Sequence, residues 1–67
     1  MPTGSCKWFR QDKGYGFITE DGTGKDFFIH FENIQMDGFK VLQTGEKVEF
    51  EPENTEKGWM AINVRKL

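Results

Sequence analysis

The sequence predicts an all-β protein, in which five short antiparallel strands close into a small barrel of the OB-fold type. Three observations support this fold class. Polar and apolar residues alternate along short segments, turns that contain glycine separate those segments, and no stretch longer than one turn has helical periodicity. With 67 residues, the chain is expected to form one domain, residues 1–67, with a small core. Closure is favoured because it leaves no strand edge unpaired.

The predicted strands follow one another between turns. Glycine next to Asp, Thr or Lys marks turns at residues 21–24, 37–38, 44–45 and 56–58. A single helical turn is predicted at Glu32–Met36. The five predicted strands lie near Gly4–Arg10, Tyr15–Glu20, Asp26–Phe31, Lys47–Glu53 and Trp59–Arg65.

The second and third predicted strands carry aromatic side chains on the face that should meet water. Successive side chains of a strand point to opposite faces of the sheet, and one face must supply the core. Flat rings exposed beside lysine and glycine suit a ligand that is flat and negatively charged, such as single-stranded nucleic acid. The alternation places Tyr15, Phe17, Phe28 and His30 outside and Ile18, Phe27 and Ile29 inside.

The fourth predicted strand shows the clearest alternation, and the fifth follows the same rule. In the fourth, Val48 and Phe50 point inward and the charged residues between them point outward. The fifth is predicted to place Met60, Ile62 and Val64 on one face. The residues predicted for its opposite face are Trp59, Ala61, Asn63 and Arg65.

The charge of the chain is unevenly distributed. The net charge of −2 does not by itself favour a nucleic-acid ligand, because nucleic-acid-binding domains are usually basic. However, Lys7, Arg10 and Lys13 flank the first aromatic segment, whereas residues 46–56 contain five acidic residues against Lys47. We therefore expect a two-faced molecule whose acidic side repels nucleic acid and orients its approach.

Several classes of function are disfavoured. The lone Cys6 cannot form an intrachain disulfide, and the longest apolar run, residues 59–62, is too short to span a membrane. We expect a cytoplasmic protein that binds no membrane. Because His30 and Cys6 alone do not make a metal site and no nucleophile–base pair is present, we predict no enzymatic activity, metal, cofactor or small-molecule substrate.

Residues 13–18 match most of a ribonucleoprotein motif, in which a basic residue and two glycines alternate with aromatic residues. An RNA-recognition-motif domain is disfavoured because the chain is short. In addition, the ribonucleoprotein motif here precedes the other aromatic segment, whereas the two motifs of an RNA-recognition-motif domain stand in the reverse order. In OB-folds the face of strands 2 and 3 binds oligonucleotides, and these strands carry the aromatic segments here. Gly14 and Gly16 are expected to let the nucleic-acid backbone approach the rings.

Further segments extend this pattern over nearly the whole chain. They are Lys7-Trp8-Phe9, Phe27-Phe28-Ile29-His30-Phe31, Asp37-Gly38-Phe39-Lys40, Thr44-Gly45-Glu46-Lys47-Val48 and Ala61-Ile62-Asn63-Val64. With residues 13–18, their order and spacing resemble the bacterial cold-shock proteins. The resemblance implies an OB-type barrel that binds single-stranded RNA and DNA, pyrimidine-rich strands preferred, with weak sequence specificity. It also implies roles as an RNA chaperone and a regulator of transcription or translation.

The resemblance also implies roles for individual residues. Lys7 and Lys13 would lie near phosphates, and Asp26 would hydrogen-bond a base edge. Lys57 stands where the family often has a basic loop residue, and Tyr15 would flank the stacking residues. The implied stacking residues are Trp8, Phe17, Phe28, His30, Phe31 and Phe39.

Four residues depart from the family's usual pattern. Phe27 and Ile62 are larger than the usual residues and Cys6 is smaller, so we expect a repacked core with compensating volumes. Trp59 replaces a common proline. Two interpretations of Trp59 remain open, an additional stacking platform at the edge of the site and a hydrophobic cap over the end of the barrel.

Two other functions account for part of the sequence. A barrel of SH3 type that holds proline-rich peptides explains the rings, but it does not explain Lys13, the glycines or the order of the motifs. A ribosome-associated OB module that recognises structured RNA is the second alternative. A monomer is the simplest expectation for the oligomeric state.

Overall fold

Five strands close into a barrel in the computed structural model, which describes residues 1–35 and 41–67. Around the barrel the strands follow the order β1-β2-β3-β5-β4. The predicted all-β fold with five strands is confirmed, and every strand bound lies within two residues of its predicted position. The strands are β1 (Thr3–Arg10), β2 (Tyr15–Glu20), β3 (Asp26–His30), β4 (Lys47–Thr55) and β5 (Gly58–Lys66).

One contact in the barrel departs from the predicted antiparallel arrangement. The pairs β1–β2, β2–β3, β1–β4 and β4–β5 are antiparallel. By contrast, β3 and β5 pair in parallel where Phe28 lies opposite Met60, and a parallel bridge joins Ile34 to Val64. This contact closes the ring, so β5 lies beside the strand that carries Phe28.

A short 3-10 turn, Phe31–Asn33, follows β3. It begins one residue before the predicted helical turn, because the strand already ends at His30. Met36 and the predicted turn at residues 37–38 lie outside the described residues. Within residues 1–35 and 41–67, no helix has the length and apolar character needed to cross a membrane.

The core is apolar and draws on all five strands. Phe27 and Phe50 pack against each other with ring centroids 5.0 Å apart. The predicted inward positions of β2, β3 and β4 are confirmed, and Cys6 is buried as expected of a small apolar side chain. The buried residues are Cys6, Ile18, Phe27, Ile29, Ile34, Leu42, Val48, Phe50, Ala61 and Val64.

The predicted faces of β5 are wrong. Ala61 and Val64 are fully buried, whereas Met60 and Ile62 are only half-buried and do not belong to the core cluster. Ile62 therefore takes no part in the predicted compensation of core volumes, which leaves Phe27 and Cys6. Because residues 58–62 alternate regularly, Trp59 lies on the same face of β5 as Ala61, at the end of the barrel.

A β-bulge at Asn63 explains the change of face in β5. The pairing between β4 and β5 shifts here, so that Asn63 and Val64 together lie opposite Phe50. Asn63 has a φ of 50°, a left-handed conformation that asparagine tolerates better than most residues. Its side chain accepts a hydrogen bond from Gln35 Nε2 at 3.0 Å and donates one to Glu51 Oε2 at 3.3 Å. The bulge turns Val64 into the core.

Candidate nucleic-acid interface

A row of partly exposed rings crosses β1, β2 and β3. Trp8 pairs with Phe17 and Phe17 pairs with Phe28, and the ring centroids lie 5.3 and 5.7 Å apart. Tyr15 fills the next position along β2, 6.0 Å from Trp8 and 5.9 Å from Phe28. His30 lies opposite Tyr15. We call the set formed by Trp8, Tyr15, Phe17, Phe28, His30 and Phe31 the aromatic strip.

Trp8 reaches the aromatic strip because of a β-bulge in β1. By strict alternation Trp8 would follow Cys6 into the core. The register with β2 shifts between these two residues, which leaves Lys7 as the extra residue. The bulge turns Trp8 outward and Phe9 inward, where Phe9 packs against the core. Alternation alone could not assign either ring, and only the family resemblance indicated Trp8.

Gly14 and Gly16 serve the packing of the protein itself. Gly16 is buried, and a Cβ atom there would collide with the Trp8 carbonyl oxygen and lie 2.8 Å from Phe9 Cα. Gly14 has a φ of 78°, and a Cβ atom there would lie 2.7 Å from the Phe31 ring. The prediction that these glycines make room for a nucleic-acid backbone is wrong, because protein atoms already fill that space.

Phe31 and His30 form one end of the aromatic strip. Phe31 is 42% exposed, and its ring centroid lies 4.6 Å from that of His30. His30 Nδ1 accepts a hydrogen bond from the Glu32 amide at 3.4 Å and lies 3.3 Å from the Glu32 carboxylate. The contacts with Gly14 and Glu32 therefore hold both rings at the surface. Phe39, the remaining predicted stacking residue, lies outside the described residues.

Asp26 and Lys7 form an ion pair beside the strip. Lys7 Nζ lies 2.9 Å from Asp26 Oδ2, and the Thr19 hydroxyl donates a hydrogen bond to Asp26 Oδ1 at 2.8 Å. The hydrogen bonds from Lys7 and then Thr19 lower the pKa of Asp26, so its carboxylate is ionised at neutral pH. The family resemblance implies a phosphate as the ligand of Lys7 and a base edge as the ligand of Asp26, and the sequence did not predict that the two residues pair.

Three lysines of the described chain form no ion pair with the described residues. They are Lys13, Lys25 and Lys57, whereas the other five described cations each lie within 3.8 Å of a carboxylate. Lys13 precedes β2, Lys25 precedes β3, and Lys57 lines a cavity with Phe17 and Phe28. Of these three cations, Lys57 therefore borders the strip directly.

Trp59 stands where β5 meets β3 at the end of the barrel. The residue is 52% exposed, and its ring touches the buried Phe27 ring in a T-shaped contact, with centroids 6.1 Å apart. It also lines a cavity of about 400 Å³ together with Phe17 and Phe28. The structure thus brings Trp59 next to the aromatic strip as well as over the core.

Cys6 is a free cysteine whose side chain lies in the core. Burial, and secondarily the charge of Glu46, raises the pKa of the Cys6 thiol, which disfavours the reactive thiolate. In the part of the chain that the structure describes, no group of three or more His, Cys, Asp or Glu side chains is placed to hold a metal ion. The surface around the aromatic strip therefore offers rings, lysines and the Asp26 carboxylate, which Lys7 and Thr19 orient.

Known proteins are similar to this chain in sequence and in fold. The family model described as 'Cold-shock' DNA-binding domain matches residues 2–67. The "Cold shock-like protein CspA" of Stigmatella aurantiaca is 55% identical over 100% of this chain and 98% of its own length. The "Cold shock-like protein" of Aquifex aeolicus is 58% identical over 96% of this chain and 91% of its own length.

A solved structure described as "drosophila Unr CSD456" has the same fold. It superposes on 98% of this chain with a TM-score of 0.80 and 21% sequence identity. This chain covers 26% of that longer chain. The likeness supports the five-stranded architecture described above.

Proposed function

The chain belongs to the cold-shock DNA-binding domain family, a family of nucleic-acid-binding proteins that are not enzymes, and from this we propose that it binds single-stranded RNA and DNA by stacking bases on the aromatic strip. The observation that carries the proposal is the row formed by Trp8, Phe17 and Phe28. Three partly exposed rings on adjacent strands, with centroids 5.3 and 5.7 Å apart, offer successive flat surfaces to an extended strand.

Stacking supplies most of the binding energy in this proposal. Each base stacked on an aromatic ring contributes about 1–3 kcal/mol, so the six stacking residues that the family resemblance implies give roughly 6–18 kcal/mol before the cost of ordering the strand. They are Trp8, Phe17, Phe28, His30, Phe31 and Phe39. Every base has a flat face, so sequence specificity is weak. We propose a modest preference for pyrimidine-rich strands, as the family resemblance implies. Preferences of this kind arise from stacking strength and backbone flexibility and not from hydrogen bonds that read the sequence.

The polar residues around the strip contribute charge and orientation. In the proposed complex, Lys7 and Lys13 lie near phosphates and Lys57 adds positive charge from the turn between β4 and β5. Asp26 accepts a hydrogen bond from a base edge, a role supported by its ionised carboxylate, which Lys7 and Thr19 hold in place. The proposed electrostatic attraction is local, in keeping with a chain whose net charge is −2.

Binding of this kind has consequences for RNA structure. A protein that holds bases on its own rings competes with base pairing, so it loosens weak secondary structure by mass action and needs no ATP. We therefore infer that the protein acts in the cytoplasm as an RNA chaperone and as a regulator of transcription or translation. It would act as a monomer, without metal or cofactor.

Alanine variants of the strip test the stacking mechanism. Phe17→Ala and Phe28→Ala should each weaken binding to oligo-dT and oligo-U by roughly 5- to 150-fold, which corresponds to the loss of one stack. Leu67→Ala is the matched control, because Leu67 is also an exposed apolar side chain but lies at the end of the chain. Affinity is measured by titration, with circular dichroism to verify that each variant is folded.

Other ligands separate the competing functions. An RNA hairpin and a proline-rich peptide should bind more weakly than oligo-dT. Tighter binding of the hairpin would favour an OB module for structured RNA, and tighter binding of the peptide would favour a barrel of SH3 type. A steep salt dependence combined with full affinity in both Phe→Ala variants would rule out stacking as the main source of affinity.

A further inference from the structure

The turn between β4 and β5 fixes the positions of Lys57 and Trp59. The Thr55 hydroxyl donates a hydrogen bond to the Gly58 carbonyl oxygen at 2.7 Å and accepts one from the Lys57 amide at 3.2 Å. Gly58 has a φ of 116°, which glycine adopts readily. The turn is thus held by its own polar groups, and Lys57 and Trp59 leave it on either side of Gly58.

The aromatic strip continues toward this turn. Phe28, the last ring of the row across β1, β2 and β3, pairs in parallel with Met60 of β5. Met60, Phe28 and Phe17 line the cavity of about 400 Å³ that Trp59 and Lys57 also border. That volume lies within the range of pockets that hold small organic ligands, so it accommodates one nucleobase.

The indole of Trp59 is only partly used in packing. Its T-shaped contact with Phe27 covers the end of the core, yet 52% of the residue stays exposed. The exposed ring is continuous with Phe17, Phe28 and Met60 around one cavity, and a contiguous exposed apolar surface of this kind marks a ligand-binding site. The contact with Phe27 also holds the indole in place, which lowers the entropy cost of stacking a base on it.

Charge decides which side of Trp59 suits a nucleotide. Trp59 also borders a second cavity, which Asp26 lines as well, and once Lys7 offsets Asp26 the charges left there are those of Glu20 and Lys25, which cancel. In the cavity beside Phe28, Asp26 is the only acidic residue among the described lining residues, and both Lys57 there and Lys7 offset its charge. A phosphate-bearing ligand is therefore favoured on the side of Phe28 and Lys57.

We propose that Trp59 forms an additional stacking subsite, which accepts one more base of the bound single strand in the cavity between Trp59 and Phe28. The inference rests on the proposed function and lengthens its binding site by one nucleotide. Lys57 would lie near the phosphate of that nucleotide. The occupant is a base, because the cavity continues the aromatic strip and a cation without a partner in the described chain borders it.

The length of the oligonucleotide distinguishes a subsite from a structural cap. For an oligo-dT of seven or more nucleotides, Trp59→Ala should lose roughly 5- to 150-fold in affinity, and Trp59→Phe should retain most of it. For a trinucleotide, which the other rings suffice to bind, the affinity of Trp59→Ala should stay close to that of the unchanged protein. An equal loss at every length would show that Trp59 only supports the fold and would overturn the proposal.

A second measurement leaves Trp59 in place. In a Trp8→Phe variant, Trp59 is the only tryptophan, and its fluorescence should be quenched by the long oligonucleotide and much less by the trinucleotide. If the long strand binds this variant without quenching, the subsite does not exist, although stacking on the rest of the strip stands. Loss of binding in Phe17→Ala and Phe28→Ala tests that stacking separately. Quenching by a proline-rich peptide instead of the oligonucleotide would assign the cavity to a peptide.

Discussion

Single residues of the site divide into those that shape the surface and those that face the ligand. Gly16 shapes it, because only a residue without a side chain lets β1 cross so close to β2. Lys7 is proposed to face the ligand, and the same β-bulge that turns Trp8 outward makes Lys7 the extra residue of β1. In the free protein the Lys7 ammonium is held by Asp26. A bound phosphate therefore competes with this carboxylate or shares the cation with it.

Lys7 should contribute a phosphate contact that a matched lysine elsewhere does not. Lys7→Ala should weaken binding of oligo-dT by about fivefold at 0.1 M salt and reduce the slope of log K against log salt concentration by about 0.7. Lys47→Ala is the control. Lys47 forms a similar ion pair with Asp21, at 3.1 Å, and is similarly exposed, at 59% against 54% for Lys7. Equal losses in the two variants would show that Lys7 acts only through the overall charge.

At the scale of strands, the sequence predicts those elements whose side chains alternate without interruption. The faces of β2, β3 and β4 follow directly from the period of two. In β1 and β5 a bulge adds one residue, and every later side chain then points to the other face. The alternation gives no sign of an inserted residue, so Phe9 could not be assigned and Ala61 was placed on the wrong face.

Contacts between distant strands were also beyond prediction. The Lys7–Asp26 ion pair depends on how the start of β3 lies relative to β1, and the cavity beside Trp59 depends on the parallel pairing of β3 with β5. Neither arrangement has a local signal in the sequence. The aromatic strip could be predicted because alternation within β2 and β3 sets four of its positions, and the family resemblance indicates the other two, Trp8 and Phe31.

The bulge in β5 should depend on the left-handed conformation of Asn63. Both Asn63→Ala and Asn63→Gly lose the hydrogen bonds to Gln35 and Glu51, but only alanine is strained at a φ of 50°. Asn63→Ala should therefore destabilise the protein by about 1 kcal/mol more than Asn63→Gly. The difference is measured from urea unfolding at neutral pH. Equal stability of the two variants, or a more stable alanine variant, would contradict a strained bulge.

At the scale of the whole molecule, three carboxylates join segments that are distant in sequence, and folding favours the ionised form of each. Hydrogen bonds from Lys47 and then Thr3 lower the pKa of Asp21, which ties the turn after β2 to β4 and β1. Burial alone would raise the pKa of Glu46, but the Gln43 amide and the Lys66 ammonium outweigh it and lower that pKa. Together with Asp26, these groups link the start and the end of the chain to the barrel.

Acid should therefore destabilise the fold. A carboxyl group whose pKa is lower in the folded than in the unfolded state adds stability above its unfolded pKa of about 4, and this stability is lost as the pH falls through the folded value. The free energy of unfolding in urea should be nearly constant between about pH 7 and 5 and decrease below about pH 4.

Glu46→Gln should be less stable at pH 7 and should lose less stability on acidification. Gln11→Ala, an uncharged change at an exposed position, should keep the slope of the unchanged protein. If Asp21→Asn, Asp26→Asn and Glu46→Gln all keep that slope too, these three carboxylates are not the origin of the acid sensitivity.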